Sequence, residues 1–363
     1  MSLRIGMLTS GGDCQGLNPA MRGVAKMLYE NDPDTEIIGF LEGYHGLMHN
    51  NYRRMKERDF SGILTRGGTI LGTSRQPFKK MDEPLYPNDP EGMTKTEAMV
   101  ANYKDMSLDA LVVLGGNGTQ KTANLLSENG CNVIHLPKTI DNDLYGTDIT
   151  FGFQSAVNIA TEVIDGIHST ATSHGRVFIV EIMGHKVGWL TLYSGVAGGA
   201  DVILIPEIPY DPISVVKALK KREERKKRFS IIAIAEGAMT KEEAAMSKSD
   251  REEAMANRPF GSAAYALQET LKDLMVQEVR CTIPGHFQRG GIPSAYDRLL
   301  TTQIGVEAGN MILEGDFGKT IAIQNNAFAR LPLSEVAGKL KKVPTDHRVV
   351  LAARKTGIFF GDE

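Results

Sequence analysis

The sequence predicts an α/β fold with mostly parallel sheets and helices on both faces. Three observations carry that reading. Short apolar runs rich in Val and Ile recur along the chain, longer stretches with helical patterning separate them, and glycine pairs stand at the carboxyl ends of two of these runs.

Arg4–Thr9 reads as a buried strand that feeds a glycine turn and a helix from about Asn18 to Glu30. Thr35–Phe40 is the next strand. Leu108–Leu114 ends in Gly115-Gly116 and leads to a helix over Gln120–Asn129. Asn132–Leu136 reads as a strand stopped by Pro137. Val177–Ile182, Val202–Ile205 and Ser230–Ala235 repeat the theme. Sheets of this kind bind ligands at the carboxyl ends of their strands. Gly11-Gly12, Gly115-Gly116 and the stretch after Leu136 stand there. Met81–Gly92, with three prolines, and the charged stretch Met239–Asn257 read as surface insertions. The basic run Lys217–Arg228 reads as a solvated helix face, with an anionic effector site as the second reading.

At 363 residues the chain suggests about two domains. Its 41 basic and 44 acidic residues leave a net charge of −3, which argues against binding nucleic acid by bulk charge. Three cysteines imply no disulfide framework and fit a reducing compartment. No apolar run reaches the ~18 residues that span a bilayer. The first residues run straight into a strand and leave no room for a signal peptide, so the expected location is the cytoplasm.

Four segments carry chemistry. In Thr9–Asn18, Gly11 and Gly16 have Walker A spacing, but Leu17-Asn18 replaces the Lys-Ser/Thr pair, so a P-loop NTPase does not fit. A strand, a glycine turn and a helix start still form an anion site. The second segment, Gly115–Thr119, has the same setting, and Thr119 can cap the following helix. It lacks the full dinucleotide spacing and an acidic ribose partner, which weighs against a nicotinamide oxidoreductase. In the third, Pro137–Asp143, two carboxylates stand two residues apart at a strand end. One can take a proton from a hydroxyl nucleophile and the other can hold Mg²⁺, the pair of roles that phosphoryl transfer needs. The fourth, Arg280–Gly291, gathers Arg280, His286 and Arg289 beside glycines and suits a phosphorylated small molecule. His45 and His49 read as solvated surface histidines, and Cys14 as a small filler in its loop.

These segments, with Arg66–Arg75, Ser173–Arg176, Glu181–Gly184 and Ala235–Gly237, occur in the order of the 6-phosphofructokinase family, which the chain resembles over nearly its whole length. The resemblance implies the phosphofructokinase fold of two Rossmann-like lobes with the site in the cleft. Residues 1–152 with about 288–340 would form the nucleotide-binding lobe, and about 153–287 with 341–363 the sugar-phosphate lobe. It implies transfer of the γ-phosphoryl of Mg·ATP to fructose 6-phosphate. Asp141 would be the base, Asp143 and Asn117 would hold Mg²⁺, and Thr139 would orient substrate or the moving phosphoryl group. Gly12, Tyr44, Arg75, Gly116, Asn117, Gly118 and Thr119 match nucleotide and phosphate positions. Lys138, Met183, Gly184, Glu236, His286 and Arg289 match the sugar-phosphate pocket. Arg176 and Arg280 match arginines that reach in from a neighbouring subunit, which implies self-association with a shared active site. Gly118 matches an aspartate of pyrophosphate-dependent relatives and points to ATP, whereas Lys138 is shared with those relatives; the combination resembles a mixed branch that uses ATP. Asn117, His185 and Gln76 depart from the family's usual aspartate, arginine and phenylalanine. These departures keep sedoheptulose 7-phosphate open as an acceptor and a non-catalytic subunit open as a role. Lys226-Lys227 fall where the family places effector-binding lysines.

Overall fold

Hydrophobic runs become strands where they can be covered on both faces, and the computed structural model, which describes residues 2–362, shows this at each apolar run named above. In chain order the elements begin β1 (Arg4–Ser10), α1 (Leu17–Asn31), β2 (Glu36–Phe40), α2 (Tyr44–Met48), β3 (Tyr52–Met55), α3 (Lys95–Asp105), β4 (Ala110–Gly115) and α4 (Asn117–Glu128). They continue with β5 (Val133–Thr139), β6 (Phe151–Gly152), α5 (Phe153–His174), β7 (Val177–Ile182), α6 (Trp189–Ala197), β8 (Val202–Leu204), α7 (Pro212–Glu224) and β9 (Ser230–Ala235). The rest are α8 (Lys241–Ala245), α9 (Lys248–Ala256), α10 (Ala263–Lys272), β10 (Val279–Thr282), α11 (Ala295–Glu314), β11 (Lys319–Gln324), β12 (Ala327–Pro332), α12 (Leu333–Val336) and α13 (Arg348–Lys355).

The chain divides into two units. The first holds the residues up to Ser155 together with Arg289–Lys341, and the second holds Ala156–Gln288 together with the residues from Lys342 on. The first unit is built on one sheet in the order β12-β11-β5-β4-β1-β2-β3, with β6 added to β5. Its pairs are parallel except β2–β3 and β11–β12. Leu8, Phe40, Tyr44, Leu111, Val113 and Leu126 are among the side chains of its core. The second unit is built on the all-parallel sheet β10-β7-β9-β8. Its core includes Ile179, Leu204, Leu219, Ile234 and Leu267.

Pro137 does not stop its strand. β5 runs on to Thr139, because the missing N–H falls where no neighbour needs it. β11 pairs with β5 only at Ile134 and His135, and β6 only at Lys138 and Thr139. The extra residues carry Lys138 and Thr139 to the end of the sheet. The stretch Met239–Asn257 is not irregular but forms α8 and α9. In the basic run, Lys217, Lys220 and Lys221 are exposed, whereas Arg222 turns inward to Asp201 at 2.7 Å and to the Ser230 hydroxyl at 3.0 Å.

Two helices of the first unit cross at glycines. A Cβ on Gly305 of α11 would stand 2.5 Å from the carbonyl carbon of Gly23 in α1. The obstacle is backbone and cannot move aside as a side chain tip would. Gly305→Ala should therefore lower the thermal unfolding midpoint. Overpacking of about 1–3 kcal/mol outweighs the ~1 kcal/mol that alanine gains in a helix. A midpoint equal to or above that of the parent would contradict this packing.

Candidate active site

At the carboxyl end of β1 the chain turns through Gly11, whose φ of +85° suits glycine. The turn is strapped from one side: the Gly11 amide donates to the Ser74 carbonyl at 3.1 Å, and the Thr73 hydroxyl donates to the Gly11 carbonyl at 2.7 Å. Arg75 follows this strap and is exposed. Beside it, β4 ends in Gly115 and α4 begins after Gly116, an N-cap without a side-chain hydrogen bond. The first amides of α4 remain available to an anion.

Thr119 does not cap α4. Its hydroxyl donates to the Ser10 carbonyl at 3.3 Å and so ties the second glycine turn to the first. Tyr44 corrects the expectation of a ligand contact. It is 1% exposed and its hydroxyl donates to the Thr119 carbonyl at 2.8 Å, so it supports the turn from behind. His135, fully buried, adds a second support. Its Nε2 bonds to the Gly115 carbonyl at 3.0 Å, which requires the proton on Nε2, and its Nδ1 accepts from the Thr320 hydroxyl at 2.8 Å. A Cβ on Gly118 would meet nothing within 4 Å, whereas one on Gly12 would lie 2.9 Å from the Arg289 guanidinium.

Two cations converge on Gly12. The buried Lys138 ammonium donates to the Gly12 carbonyl. Burial lowers its pKa, and the Arg289 charge acts in the same direction. Arg289 donates from Nη1 to the Asp13 carbonyl at 3.1 Å, while its Nε is buried with no hydrogen-bond partner. Among the described residues neither cation forms a salt bridge. A phosphate group would supply the missing acceptor and charge. Cys14 packs behind the loop; burial pushes its thiol up to about 12, which fits a filler and not a nucleophile.

The acidic turn follows directly from β5. Asn142, between the two carboxylates, takes a left-handed φ of +53°. Its side-chain oxygen Oδ1 accepts the Thr150 amide at 3.0 Å, and the Thr150 hydroxyl donates to the Thr139 carbonyl at 2.8 Å. The Asp141 amide donates to the Thr139 hydroxyl at 3.0 Å. The Asp143 carbonyl accepts the Lys341 amide at 2.8 Å, and the Asn117 side-chain amide donates to the Lys339 carbonyl at 2.9 Å. Asn117 and Asp143 are thus fastened to the same short segment. Lys341 itself donates to the carbonyls of Thr147 and Asp148 at 2.8 and 2.9 Å. Burial moves it down to about 8, opposed by the charges of Asp148 and Asp143.

In the second unit, Glu236 accepts the amides of Gly184 at 3.2 Å and His185 at 2.6 Å, holding the Met183–His185 turn. His185 has a φ of +51°, a left-handed conformation that this carboxylate stabilises. The Met183 amide donates to Gln288 at 3.2 Å. His286 is exposed, two residues before Gln288. Arg176, the residue before β7, and Arg280, on β10, both bind the Glu278 carboxylate. Sequence reasoning missed Gln288, Glu278, Asn142 and His135. Only Asn142 carried a signal, an Asx residue flanked by two acids in a turn.

A family model described as phosphofructokinase matches residues 4–312. A relative from Spirochaeta thermophila, an ATP-dependent 6-phosphofructokinase, is 52% identical over 98% of this chain and 97% of its own length. The structure of Pichia pastoris phosphofructokinase in the T-state superposes with a TM-score of 0.78 at 30% identity, covering 98% of this chain and 37% of that one. A pyrophosphate-dependent phosphofructokinase from Nitrosospira multiformis has the same fold, with a TM-score of 0.81 at 19% identity, covering 99% of this chain and 89% of its own.

His135 makes the fold sensitive to acid. Burial lowers its pKa to about 3 in the folded protein, against about 6.5 when unfolded. Between those values the unfolded chain binds the extra proton, so stability falls as pH falls, by up to about 1.4 kcal/mol per pH unit from this group. Denaturant titrations between pH 6.5 and 4.5 should show a shallower pH slope in His135→Gln than in the parent. Identical slopes would remove His135 from this role.

Proposed function

The chain belongs to the phosphofructokinase family, and we propose that it is an ATP-dependent 6-phosphofructokinase. It transfers the γ-phosphoryl group of ATP to the 1-hydroxyl of fructose 6-phosphate, giving fructose 1,6-bisphosphate and ADP. The observation that carries the choice of donor is the open space at Gly118, where a side chain would meet nothing within 4 Å, at the start of a helix whose first amides are uncapped. A nucleotide's inner phosphate needs that room; an aspartate there would fill and repel it. The first unit is the nucleotide half and the second the sugar-phosphate half.

In the reaction, the Asp141 carboxylate accepts the proton of the sugar hydroxyl as its oxygen bonds to the γ-phosphorus. The bond to the β-phosphate oxygen breaks, and ADP leaves with the electron pair. Thr139, whose hydroxyl already accepts the Asp141 amide, keeps the base in place. Lys138 and Arg289 offset charge at the Gly12 turn, and Gly12, Gly116 and Thr119 leave bare or hydroxyl-bearing backbone for phosphates.

The donor set fits Mg²⁺. Among the described residues no group of three or more His, Cys, Asp or Glu could form a protein-only cage. Mg²⁺ ordinarily takes one or two carboxylates with substrate phosphates and water. The Asp143 carboxylate and the Asn117 side-chain oxygen would hold it, and it would neutralise charge on the nucleotide.

Met183, Gly184, Glu236 and His286 would hold the sugar phosphate. Arg176 and Arg280 would serve the sugar phosphate of a second copy, making the protein an oligomer of at least two chains. Glu278 supports this role by holding the two guanidinium groups side by side and partly exposed. Among the described residues no helix is long and apolar enough to cross a membrane, and the cytoplasm is the proposed location.

Asp141→Ser should cut kcat by ~10²-fold or more, with the KM for fructose 6-phosphate nearly unchanged. An unchanged kcat would remove the base from its role. Gly118→Asp should raise the KM for ATP at least about tenfold, since a carboxylate would meet phosphate charge. An unchanged KM would show that the donor lies elsewhere.

A further inference from the structure

One ammonium group beside the acidic turn has no part in the chemistry described so far. Lys341 is half-buried and lies on a short segment that pairs antiparallel with the turn through Leu340 and Leu144. Its amide holds the Asp143 carbonyl at 2.8 Å, and its side chain reaches the carbonyls of Thr147 and Asp148 at 2.8 and 2.9 Å. The Asp148 carbonyl also accepts the Asn142 side-chain amide at 3.3 Å. The ammonium is therefore held by the loop that starts at Asp143 and does not swing on its long stem as a surface lysine does. Two carboxylates face it, and the charges of Asp148 and Asp143 both act on it. Asp148 has a further partner, the Asn325 amide at 2.7 Å. Asp143 is 9% exposed and is assigned to Mg²⁺ above, together with Asn117, which is neutral and donates to the Lys339 carbonyl. The Lys339 ammonium stands over the Tyr145 ring, 5.4 Å from its centroid.

Asp143, Asp148 and Lys341 together carry one net negative charge; without the ammonium the two carboxylates would carry two. A bare divalent ion and a nucleotide-bound one respond to that ammonium with opposite sign. The bare ion is positive, and Lys341 repels it. Bound to the tail of ATP it belongs to a complex that is negative overall, and Lys341 attracts that complex. We propose that Lys341 makes the metal half of the site accept the divalent ion together with the nucleotide and not before it. Its ammonium lowers affinity for the free ion and raises affinity for the Mg·ATP complex. The inference rests on the assignment of Asp143 to the metal. Lys341 is a positioning residue and not a catalytic one, because it acts through the charge it sets at Asp143. Mg²⁺ gives up its waters reluctantly and usually sits on one or two carboxylates with substrate phosphates, so a site that is weak for the bare ion suits the reaction.

Mn²⁺, whose free form is read by electron paramagnetic resonance, is the probe. The full chain without nucleotide is titrated at pH 7, where the ammonium is charged. Lys341→Met and Lys341→Gln, both neutral, should bind Mn²⁺ at least about tenfold more tightly than the parent, and adding Asp143→Asn to either should abolish the gain. With fructose 6-phosphate as acceptor, the same two neutral variants should raise the KM for Mg·ATP at least about threefold. Lys341→Arg keeps the charge and should stay near the parent in both measurements. A looser loop alone would weaken both kinds of binding, so the opposite signs separate charge from structure. Neutral variants that bind Mn²⁺ no more tightly than the parent would overturn the proposal. A gain that survives Asp143→Asn, a KM that is unchanged or lower, or a Lys341→Arg that behaves like Lys341→Met would overturn it equally. The Mn²⁺ titration needs no turnover, so it decides this inference by itself; a parent that does not use ATP would count against the proposed function and not against Lys341.

Discussion

The hydrogen bonds around Asn142 decide where the two carboxylates stand. A side-chain amide between two acids accepts the Thr150 amide while its own backbone turns left-handed, and Thr150 in turn holds the Thr139 carbonyl. The turn is therefore closed by short-range bonds before any ligand arrives. Asp141 and Asp143 would repel each other if free to choose. Two lysine charges face them, Lys138 toward Asp141 and Lys341 toward Asp143, and offset that repulsion.

The same economy governs the cations. Lys138 stands on the last residues of a buried strand, where its ammonium loses water and recovers a carbonyl bond and the more distant charges of Asp141 and Asp13. Arg289 arrives from the far end of the chain to the same glycine turn with one nitrogen unsatisfied. A site held short of acceptor groups is favourable to an incoming phosphate, because binding replaces a desolvation penalty with charge-assisted hydrogen bonds. Glycine at positions 12, 116 and 118 matters here for space: each leaves backbone that a phosphate can approach.

Much of this was legible in the sequence, for identifiable reasons. β1, β4, β5, β7, β8 and β9 are apolar runs buried on both faces, so their composition alone marks them. β10 and β12 escaped because they are half-exposed and carry arginines. Pro137 misled because its conformational rule is local, whereas its tolerance depends on where neighbouring strands end. Tyr44 was assigned to a ligand contact by position, and the structure gives its hydroxyl to the Thr119 carbonyl instead. Glu278 was invisible because its meaning depends on two arginines, one of them 102 residues away and the other two. Motifs reveal which residue types gather; they do not reveal which partner each one takes.

The most direct test of the account follows phosphorus in the unmodified protein. With fructose 6-phosphate and Mg²⁺, ³¹P spectra should show ATP converted to ADP with an equal amount of fructose 1,6-bisphosphate. Pyrophosphate in place of ATP should give little or no product. Turnover with pyrophosphate and none with ATP would contradict the account of the Gly118 space and of the acids that work beside it.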